Sequence, residues 1–173
     1  MTIKIGIITA SDRGSKGEYD FLTGERVAEV LSEYISSSYE TKHLVVPDEQ
    51  LELESALIDL ADKEQCALII TAGGTGPAPR DVTPEATASV CQKMLPGFGE
   101  IMRQHSLKFV KTAFLSRQTA GIRNKTLIIN MPGKPRAIRQ CMEVVSVGIP
   151  HTLVLLGHEL ITLSSNNIED PHL

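Results

Sequence analysis

The chain has 173 residues, of which 42% are apolar, and its 17 basic and 21 acidic residues give a formal net charge of −4. This length and composition are those of an ordinary globular protein of about one domain, and they exclude disordered, fibrous and disulfide-stapled proteins. The acidic balance and the 4% of aromatic residues without tryptophan argue against nucleic-acid binding, and no apolar stretch approaches the roughly 20 residues of a membrane span.

Short apolar runs alternate with longer amphipathic stretches along the chain. Four runs predict strands at residues 3–9, 41–46, 66–71 and 126–130. Helical periodicity predicts helices at 24–36, 49–63, 84–93, 100–110, 136–145 and 150–156, with Thr83 as an N-cap and 96–99 as a break. The alternation predicts an α/β fold with a single doubly wound, mostly parallel sheet flanked by helices. We expect this domain over 1–163 and a polar tail over 164–173.

Two features of the sequence bear on location. The three cysteines, Cys66, Cys91 and Cys141, lie far apart without a CxxC motif, which predicts buried thiols in a reducing compartment. Residues 1–10 lack the layout of a signal peptide and are better explained as a first strand. We therefore expect a cytoplasmic protein with no membrane association.

The charges are unevenly distributed. Residues 101–142 carry nine Lys or Arg and no acid, whereas residues 1–100 carry eight Lys or Arg and 17 Asp or Glu. A basic segment of this kind can concentrate an anionic ligand through its field. It can equally pack against acidic surface within the chain or between subunits, and charge alone does not separate these two interpretations.

Four polar loops follow the predicted strands. Since ligands of open α/β sheets bind beyond the carboxyl ends of the strands, we expect these loops to meet at one edge of the sheet. They occupy residues 11–13, 47–48, 73–81 and 130–133. Their convergence is stronger grounds for a binding site than any one of them alone.

The run Gly73-Gly74-Thr75-Gly76 is central among these loops. Glycines let backbone N–H groups approach an anion closely, and a helix start soon afterwards adds partial positive charge. The run matches neither the P-loop nor the GxGxxG fingerprint. It either cradles a phosphate by its own geometry or forms only a tight turn between strand and helix.

Asp48 and Asp81 are the candidate chemical groups, since each follows the end of a predicted strand. Mg²⁺ is usually held by one or two carboxylates together with substrate phosphates. Each aspartate taken alone is better explained by local structure: Asp48 as a helix cap, and Asp81 as a cap near Thr83 or a partner of Arg80. The two together, beside a glycine loop, favour a metal site.

Several motifs resemble those of the molybdopterin adenylyltransferases, which have the molybdenum cofactor biosynthesis fold. They are T-A-G-G-T-G-P-A-P-R-D-V-T-P-E-A-T (71–87), P-G-F-G-E-I-M-R (96–103), L-S-R-Q-T-A-G-I-R (115–123) and L-I-I-N-M-P-G-K-P (127–135), joined by S-D-R (11–13) and V-P-D-E-Q (46–50). The resemblance extends over about residues 3–156, and the motifs are specific in combination, although the glycine loop alone would not be.

The resemblance implies a homotrimer and a reaction in which Mg²⁺-ATP and molybdopterin give adenylylated molybdopterin and pyrophosphate. Two aspartates that the family requires fall on Asp48 and Asp81, which would be catalytic and bind the metal. Substrate-binding positions fall on Ser11, Asp12, Gly73, Gly74, Thr75, Gly76, Glu100, Ser116, Pro132 and Gly133. A molybdenum-inserting enzyme would be a downstream partner.

Two alternatives share the expected fold. One is a non-catalytic relative or scaffold that binds molybdopterin without adenylylating it. The other is a nucleotide hydrolase related to nicotinamide-nucleotide amidohydrolase domains, which we rank lower because such enzymes often carry an extra domain. The presence of both Asp48 and Asp81 favours the adenylyltransferase.

Overall fold

The computed structural model describes residues 2–17 and 22–164. Its strands are β1 (Ile3–Ala10), β2 (Tyr39–Val46), β3 (Leu68–Ala72), β4 (Lys93–Met94), β5 (Ala120–Arg123) and β6 (Thr126–Met131). Its α-helices are α1 (Asp12–Ser15), α2 (Leu22–Tyr34), α3 (Gln50–Ile58), α4 (Thr83–Val90), α5 (Pro96–Ser106), α6 (Pro135–Val145) and α7 (Gly148–Leu155). A π-helical turn (Asp59–Lys63) extends α3, and a 3₁₀ turn (Ala113–Leu115) precedes β5.

The strands form one six-stranded sheet in the order β2-β1-β3-β6-β5-β4. The first four strands in this order are parallel, and β5 and β4 pair antiparallel at one edge. In the parallel register Ala10 lies beside Val46, and Ala72 lies beside Met131. The carboxyl ends of β1, β2, β3 and β6 therefore meet at one edge of the sheet, which we call the rim.

Helices cover both faces of the sheet, and the central strands alternate between two cores. Leu68 and Ile70 of β3 pack in one core with α2, α5, α6 and α7, whereas Ile69 packs in the other with α3 and α4. Strands buried on both faces are apolar throughout, which explains why the sequence shows continuous apolar runs rather than alternation. The predicted doubly wound, mostly parallel α/β fold is confirmed.

The antiparallel edge is absent from the sequence prediction. The periodicity places Lys93 at the end of a helix, but α4 ends at Val90. Lys93 lies in β4, where it pairs with Ile122 of β5. A two-residue strand and a four-residue strand carry too few residues to show a period, so only the pairing of β5 with β6, and of β4 with β5, makes them strands.

Two predicted helix starts are also displaced. The run at 96–99, expected to break the chain, is the first turn of α5, because proline suits the first helical position. Thr83 is the first residue of α4 rather than its N-cap, and the preceding Val82 provides no side-chain cap.

After α7 the chain returns to the end of α2. Leu163 forms a bridge with Ile35, and Ser164 N–H donates to the Tyr34 carbonyl at 2.9 Å. Ser164 is the first residue of the predicted polar tail, and the remainder, 165–173, lies outside the described residues. Across the described part of the chain, no helix has both the length and the apolar character needed to cross a bilayer.

Candidate functional site

The glycine loop leaves the carboxyl end of β3 in a conformation that requires glycine. Gly73 and Gly74 have φ of 106° and 61°, the left-handed region that side chains disfavour. A Cβ on Gly73 would lie 2.4 Å from the Ala10 carbonyl oxygen, and one on Gly74 would lie 2.3 Å from Thr83 Oγ1. The loop backbone is thus pressed against β1 on one side and against the start of α4 on the other.

Asp12 and Asp48 join the ends of β1 and β2 through reciprocal hydrogen bonds. Asp12 N–H donates to Asp48 Oδ2 at 3.0 Å, and Asp48 N–H donates to Asp12 Oδ1 at 3.1 Å. Asp48 Oδ1 makes no hydrogen bond within the described residues and lies 3.2 Å from the position of a Cβ on Gly74. The Asp48 carboxylate is therefore fixed by one oxygen and points the other at the glycine loop.

Arg80 balances the charge of two outer acids at this rim. Its Nε and Nη2 donate to the two carboxylate oxygens of Asp12 at 2.8 and 2.7 Å, and its Nη1 donates to Glu49 at 2.8 Å. Hydrogen bonding to Arg80 lowers the pKa of Asp12. The alternative explanation of Asp81 as a partner of Arg80 does not hold, because the Arg80 guanidinium binds Asp12 and Glu49 instead.

Asp81 closes the far end of the same loop. Its Oδ2 accepts a hydrogen bond from Ala78 N–H at 3.0 Å and lies 2.6 Å from the position of a Cβ on Gly76. Its Oδ1 makes no hydrogen bond within the described residues. Asp81, like Asp48, thus borders the glycine loop and keeps one carboxylate oxygen without a hydrogen bond to the described residues, although in Asp81 it is the hydrogen-bonded oxygen that lies beside the glycine.

The surroundings of Asp48 disfavour its negative charge. Burial raises the pKa of Asp48, and the Asp12 and Asp81 carboxylates act in the same direction, against the hydrogen bond from Asp12 N–H. Asp48 lies beside Gly74 and Asp81 lies beside Gly76, so both carboxylates border the same loop. The structure therefore brings the two aspartates to one rim, as predicted, and neither of them caps α3 or α4 with its side chain.

The residues present suit a divalent cation that also contacts phosphate. Hard cations take oxygen ligands, and Mg²⁺ often uses only one or two carboxylates with substrate phosphates completing its shell. Asp48 Oδ1 and Asp81 Oδ1 are such donors. Among residues 2–17 and 22–164 there is no group of three or more His, Cys, Asp or Glu arranged to hold a metal by themselves.

A second chain segment reaches the glycine loop from the far side of β6. Arg117 N–H donates to the Thr75 carbonyl at 2.8 Å, and the Arg117 side chain donates to the Gly76 and Asp81 carbonyls at 2.9 and 2.7 Å. Next to it, Ser116 Oγ donates to Gln118 Oε1 at 3.0 Å. Ser116 is therefore close to the loop, because the adjacent residue Arg117 contacts the loop directly.

The other predicted substrate-binding residues lie at different points around the rim. Ser11 accepts a hydrogen bond from Gly14 N–H at 3.0 Å and so shapes the turn after β1. Pro132 and Gly133 follow β6, and a Cβ on Gly133 would lie 3.3 Å from Gly73 Cα. Glu100 is exposed on α5, and its side chain makes no hydrogen bond or ion pair with the described residues. Its neighbour Gly99 packs on the Gln118 carbonyl oxygen, which a Cβ on Gly99 would approach to 2.1 Å. Ser11, Pro132 and Gly133 thus lie in the rim loops themselves, whereas Ser116 and Glu100 approach them only through neighbouring residues.

Part of the basic segment, residues 101–142, pairs with acidic residues of the chain, and the rest remains free of such pairs among the described residues and can attract an anionic ligand. Three of its arginines pair with acids from the first hundred residues, in the pairs Arg117–Glu85, Arg123–Asp62 and Arg139–Glu33. The other Lys and Arg side chains of the segment form no ion pair with the described residues, and they are Arg103, Lys108, Lys111, Lys125, Lys134 and Arg136. Lys134 and Arg136 directly follow the Pro132-Gly133 turn, where they can attract an anion toward the rim.

Sequence reasoning misses three contributors to the site. In the sequence Arg80 and Arg117 look like surface arginines, and Asn130 has no evident role. Asn130 is fully buried, and its Nδ2 donates to Thr71 Oγ1 at 3.0 Å and Thr87 Oγ1 at 2.8 Å, which ties α4 to β3 and β6. A polar residue within the apolar run 127–131 is the only signal in the sequence for Asn130.

Comparison with known proteins shows the family of the chain. Residues 6–151 match the family model described as probable molybdopterin binding domain. The chain is 55% identical over 168 residues to the molybdopterin adenylyltransferase of Helicobacter pylori strain J99, covering 97% of this chain and 96% of that protein. It is 46% identical over 144 residues to the molybdopterin adenylyltransferase of Escherichia coli K12, covering 83% and 74%.

Solved structures show the same architecture. The molybdopterin biosynthesis enzyme MoaB from Thermus thermophilus superposes with a TM-score of 0.83 at 40% identity, covering 93% of this chain and all of that one. The molybdopterin biosynthesis Mog protein from Mycobacterium ulcerans gives a TM-score of 0.82 at 35% identity, covering 90% and 99%. With a family model that spans most of its length and relatives of this similarity, the chain belongs to the probable molybdopterin binding domain family of molybdenum cofactor biosynthesis proteins.

Proposed function

We propose that this protein is a molybdopterin adenylyltransferase, a nucleotidyltransferase that uses Mg²⁺-ATP. A terminal phosphate oxygen of molybdopterin attacks the α-phosphorus of ATP, the bond to the bridging oxygen breaks, and pyrophosphate leaves. The observation that carries this proposal is the placement of Asp48 and Asp81 at one rim, where Asp48 Oδ1 lies beside Gly74 and Asp81 Oδ2 lies beside Gly76, and where each carboxylate has one oxygen without a hydrogen bond to the described residues. Family membership and the names of the relatives support it.

The reaction requires positioning and charge neutralisation rather than a nucleophilic side chain. Gly73, Gly74, Thr75 and Gly76 would hold the nucleotide phosphates through backbone N–H groups. Ser11, Asp12, Glu100, Ser116, Pro132 and Gly133 would form the surrounding substrate-binding rim. Since both oxygens of Asp12 are engaged by Arg80 and Asp48 N–H, Asp12 would contribute mainly by orienting Asp48.

Asp48 and Asp81 would hold the Mg²⁺, each through Oδ1. When bound, the ion would neutralise charge on the ATP phosphates. The raised pKa of Asp48 means that its carboxylate ionises at a higher pH than an ordinary aspartate. As the pH is lowered, the site would therefore lose affinity for the cation at a higher pH than a site with a solvated carboxyl would.

A pyrophosphate-release assay tests the proposal. We expect release that requires molybdopterin, ATP and Mg²⁺ together and that stops when a chelator removes the metal. A protein that binds molybdopterin, by quenching or calorimetry, but releases no pyrophosphate would instead be the non-catalytic member of the family. Release of phosphate or AMP without molybdopterin would indicate a nucleotide hydrolase.

We further propose a homotrimer, as the family resemblance implies. In its support, five apolar side chains between α5 and β5 are exposed, namely Leu107, Phe109, Val110, Phe114 and Leu115. Exposed apolar residues grouped in this way are typical of protein interfaces. Sedimentation should give three times the chain mass, and Phe114→Asp should shift the equilibrium toward monomer. A wild-type monomer at micromolar concentration would contradict the trimer.

We place the reaction in the cytoplasm, with a molybdenum-inserting enzyme as the recipient of the product. Cys66, Cys91 and Cys141 are all free thiols, which suits a reducing compartment. Cys66 and Cys141 are buried as predicted, whereas Cys91 is only half-buried. Burial raises the pKa of Cys141 to about 12, so this thiol is unreactive at neutral pH.

A further inference from the structure

Arg117 holds both ends of the short loop that leads from the glycines to Asp81. Its Nε donates to the Gly76 carbonyl at 2.9 Å, and its Nη2 donates to the Asp81 carbonyl at 2.7 Å. A guanidinium is planar and rigid, so two carbonyls bound to one such group are fixed relative to each other. The four residues between them, 77–80, are exposed, and their other side-chain anchor among the described residues is Arg80, which binds Asp12 and Glu49 at the opposite side of the rim.

The backbone around Arg117 is itself anchored. Arg117 N–H donates to the Thr75 carbonyl at 2.8 Å. The carbonyls of its two neighbours, Ser116 and Gln118, accept from Arg103 Nη1 at 3.4 and 2.7 Å. Arg103 lies on α5, so the side chain of Arg117 extends from a base that is fixed to the helical layer.

The guanidinium is also held from the α4 side. Glu85, in the first turn of α4, accepts hydrogen bonds from Nη1 and Nη2 of Arg117. Nε, Nη1 and Nη2 therefore all have partners in the protein. This arrangement suits a structural brace better than a direct ligand of a phosphate.

The position of the Asp81 carboxylate depends on the braced loop. Asp81 Oδ2 accepts from Ala78 N–H at 3.0 Å, and Asp81 N–H donates to the Ala78 carbonyl at 2.9 Å. If the loop ends separate, this small closed turn loses its geometry and Asp81 moves relative to Asp48. Displacements of about 1 Å at a reacting site can reduce rates by roughly a hundredfold.

We propose that Arg117 is a positioning residue that sets Asp81 at the cation-binding rim by clamping the carbonyls of Gly76 and Asp81. The inference rests on the proposed function for the role of Asp81, but the clamp itself is a property of the loop. Lysine would keep the positive charge but lose the planar set of N–H donors that binds both carbonyls, so Arg117→Lys is the informative substitution.

Arg123 supplies the matched control. It binds one backbone carbonyl, that of Val90 at 2.8 Å, and both carboxylate oxygens of Asp62, but it lies in β5 away from the rim. Arg123→Lys removes a similar set of hydrogen bonds without touching the glycine loop.

The test combines amide hydrogen exchange with Mg²⁺ titration. In Arg117→Lys we expect exchange at the Asp81 amide to accelerate about tenfold or more. We also expect the Mg²⁺ concentration at half-maximal activity to rise about tenfold, with a smaller fall in kcat at saturating Mg²⁺. Arg123→Lys should change neither quantity.

Other outcomes overturn the proposal. Unchanged exchange at Asp81 in Arg117→Lys, or equal changes in Arg123→Lys, would show that Arg117 is not a specific brace. A raised KM for ATP with unchanged Mg²⁺ dependence would show a phosphate ligand instead. If Arg117→Lys does not fold, Glu85→Gln should accelerate amide exchange at Asp81 to a smaller extent. An unchanged exchange rate in Glu85→Gln would then refute the clamp. A wild type that releases no pyrophosphate contradicts the proposed function, whereas exchange still decides the role of Arg117.

Discussion

Replacing either Asp48 or Asp81 with asparagine is expected to reduce adenylyl transfer by roughly 100- to 1,000-fold, the scale seen when one electrostatic group at a transition state is lost. Each substitution removes the negative charge of a carboxylate that borders the glycine loop, while the amide oxygen can still accept the local N–H of Asp12 or Ala78. Pyrophosphate release at several Mg²⁺ concentrations measures the effect, and excess Mg²⁺ should restore little of it.

Thermal unfolding separates this chemical effect from misfolding. The pKa of Asp48 is raised in the folded protein, so the folded state binds this proton more tightly than the unfolded chain does. The stability linked to that proton is present at low pH and is lost as pH rises past the raised pKa, so at neutral pH the ionised carboxylate opposes folding. Asp48→Asn should therefore leave Tm at neutral pH unchanged or higher.

Asp59→Asn is the control for removing a carboxylate. Asp59, whose side chain is 45% exposed, pairs with Lys63 at 2.7 Å on the π-helical turn, an ion pair of the kind that contributes about 0–1 kcal/mol. The activity of this variant should equal that of the wild type. Near-normal turnover in both Asp48→Asn and Asp81→Asn would falsify the assignment of the two carboxylates.

Gly73→Ala is expected to lower the free energy of unfolding by about 2–5 kcal/mol and to abolish transfer. A left-handed backbone costs an L-residue about 1–2 kcal/mol, and forcing extra atoms into a packed region costs about 1–3 kcal/mol more. The neighbour in this case is the Ala10 carbonyl, 2.4 Å from the new Cβ, and a backbone atom in the sheet cannot rotate away. Denaturant unfolding and the release assay measure the two effects.

Gly17→Ala isolates the conformational part of that loss. Gly17 also has positive φ, 71°, but no atom of the described residues lies within 4 Å of the position of its Cβ. We expect this variant to lose only the backbone contribution of about 1–2 kcal/mol and to retain activity. If Gly17→Ala and Gly73→Ala destabilise the protein equally, the close approach of the glycine loop to β1 is energetically unimportant.

The central part of the fold follows from the order of residues along the chain. Four apolar runs separated by amphipathic stretches permit little except a parallel sheet covered on both faces, because such runs need burial on both sides. That topology then requires the loops after β1, β2, β3 and β6 to share an edge. The prediction that Asp48 and Asp81 approach one another follows from the topology alone.

What the sequence could not supply depends on contacts between distant residues. The strand β5 exists only through pairing with β6, and β4 only through pairing with β5, since their own residues show no strand period. The basic segment is uniform along the chain, yet Arg117 braces a loop while Lys134 meets no acid among the described residues.

The local pattern of this sequence determined which elements form and which edge of the sheet binds ligand, because burial and periodicity act over a few residues. The tertiary structure alone decided the partner of each charged side chain. Arg80 stands beside Asp81 in the chain but bonds to Asp12, 68 residues away. A long side chain can reach several acids, and only the folded positions of those acids determine which one it meets.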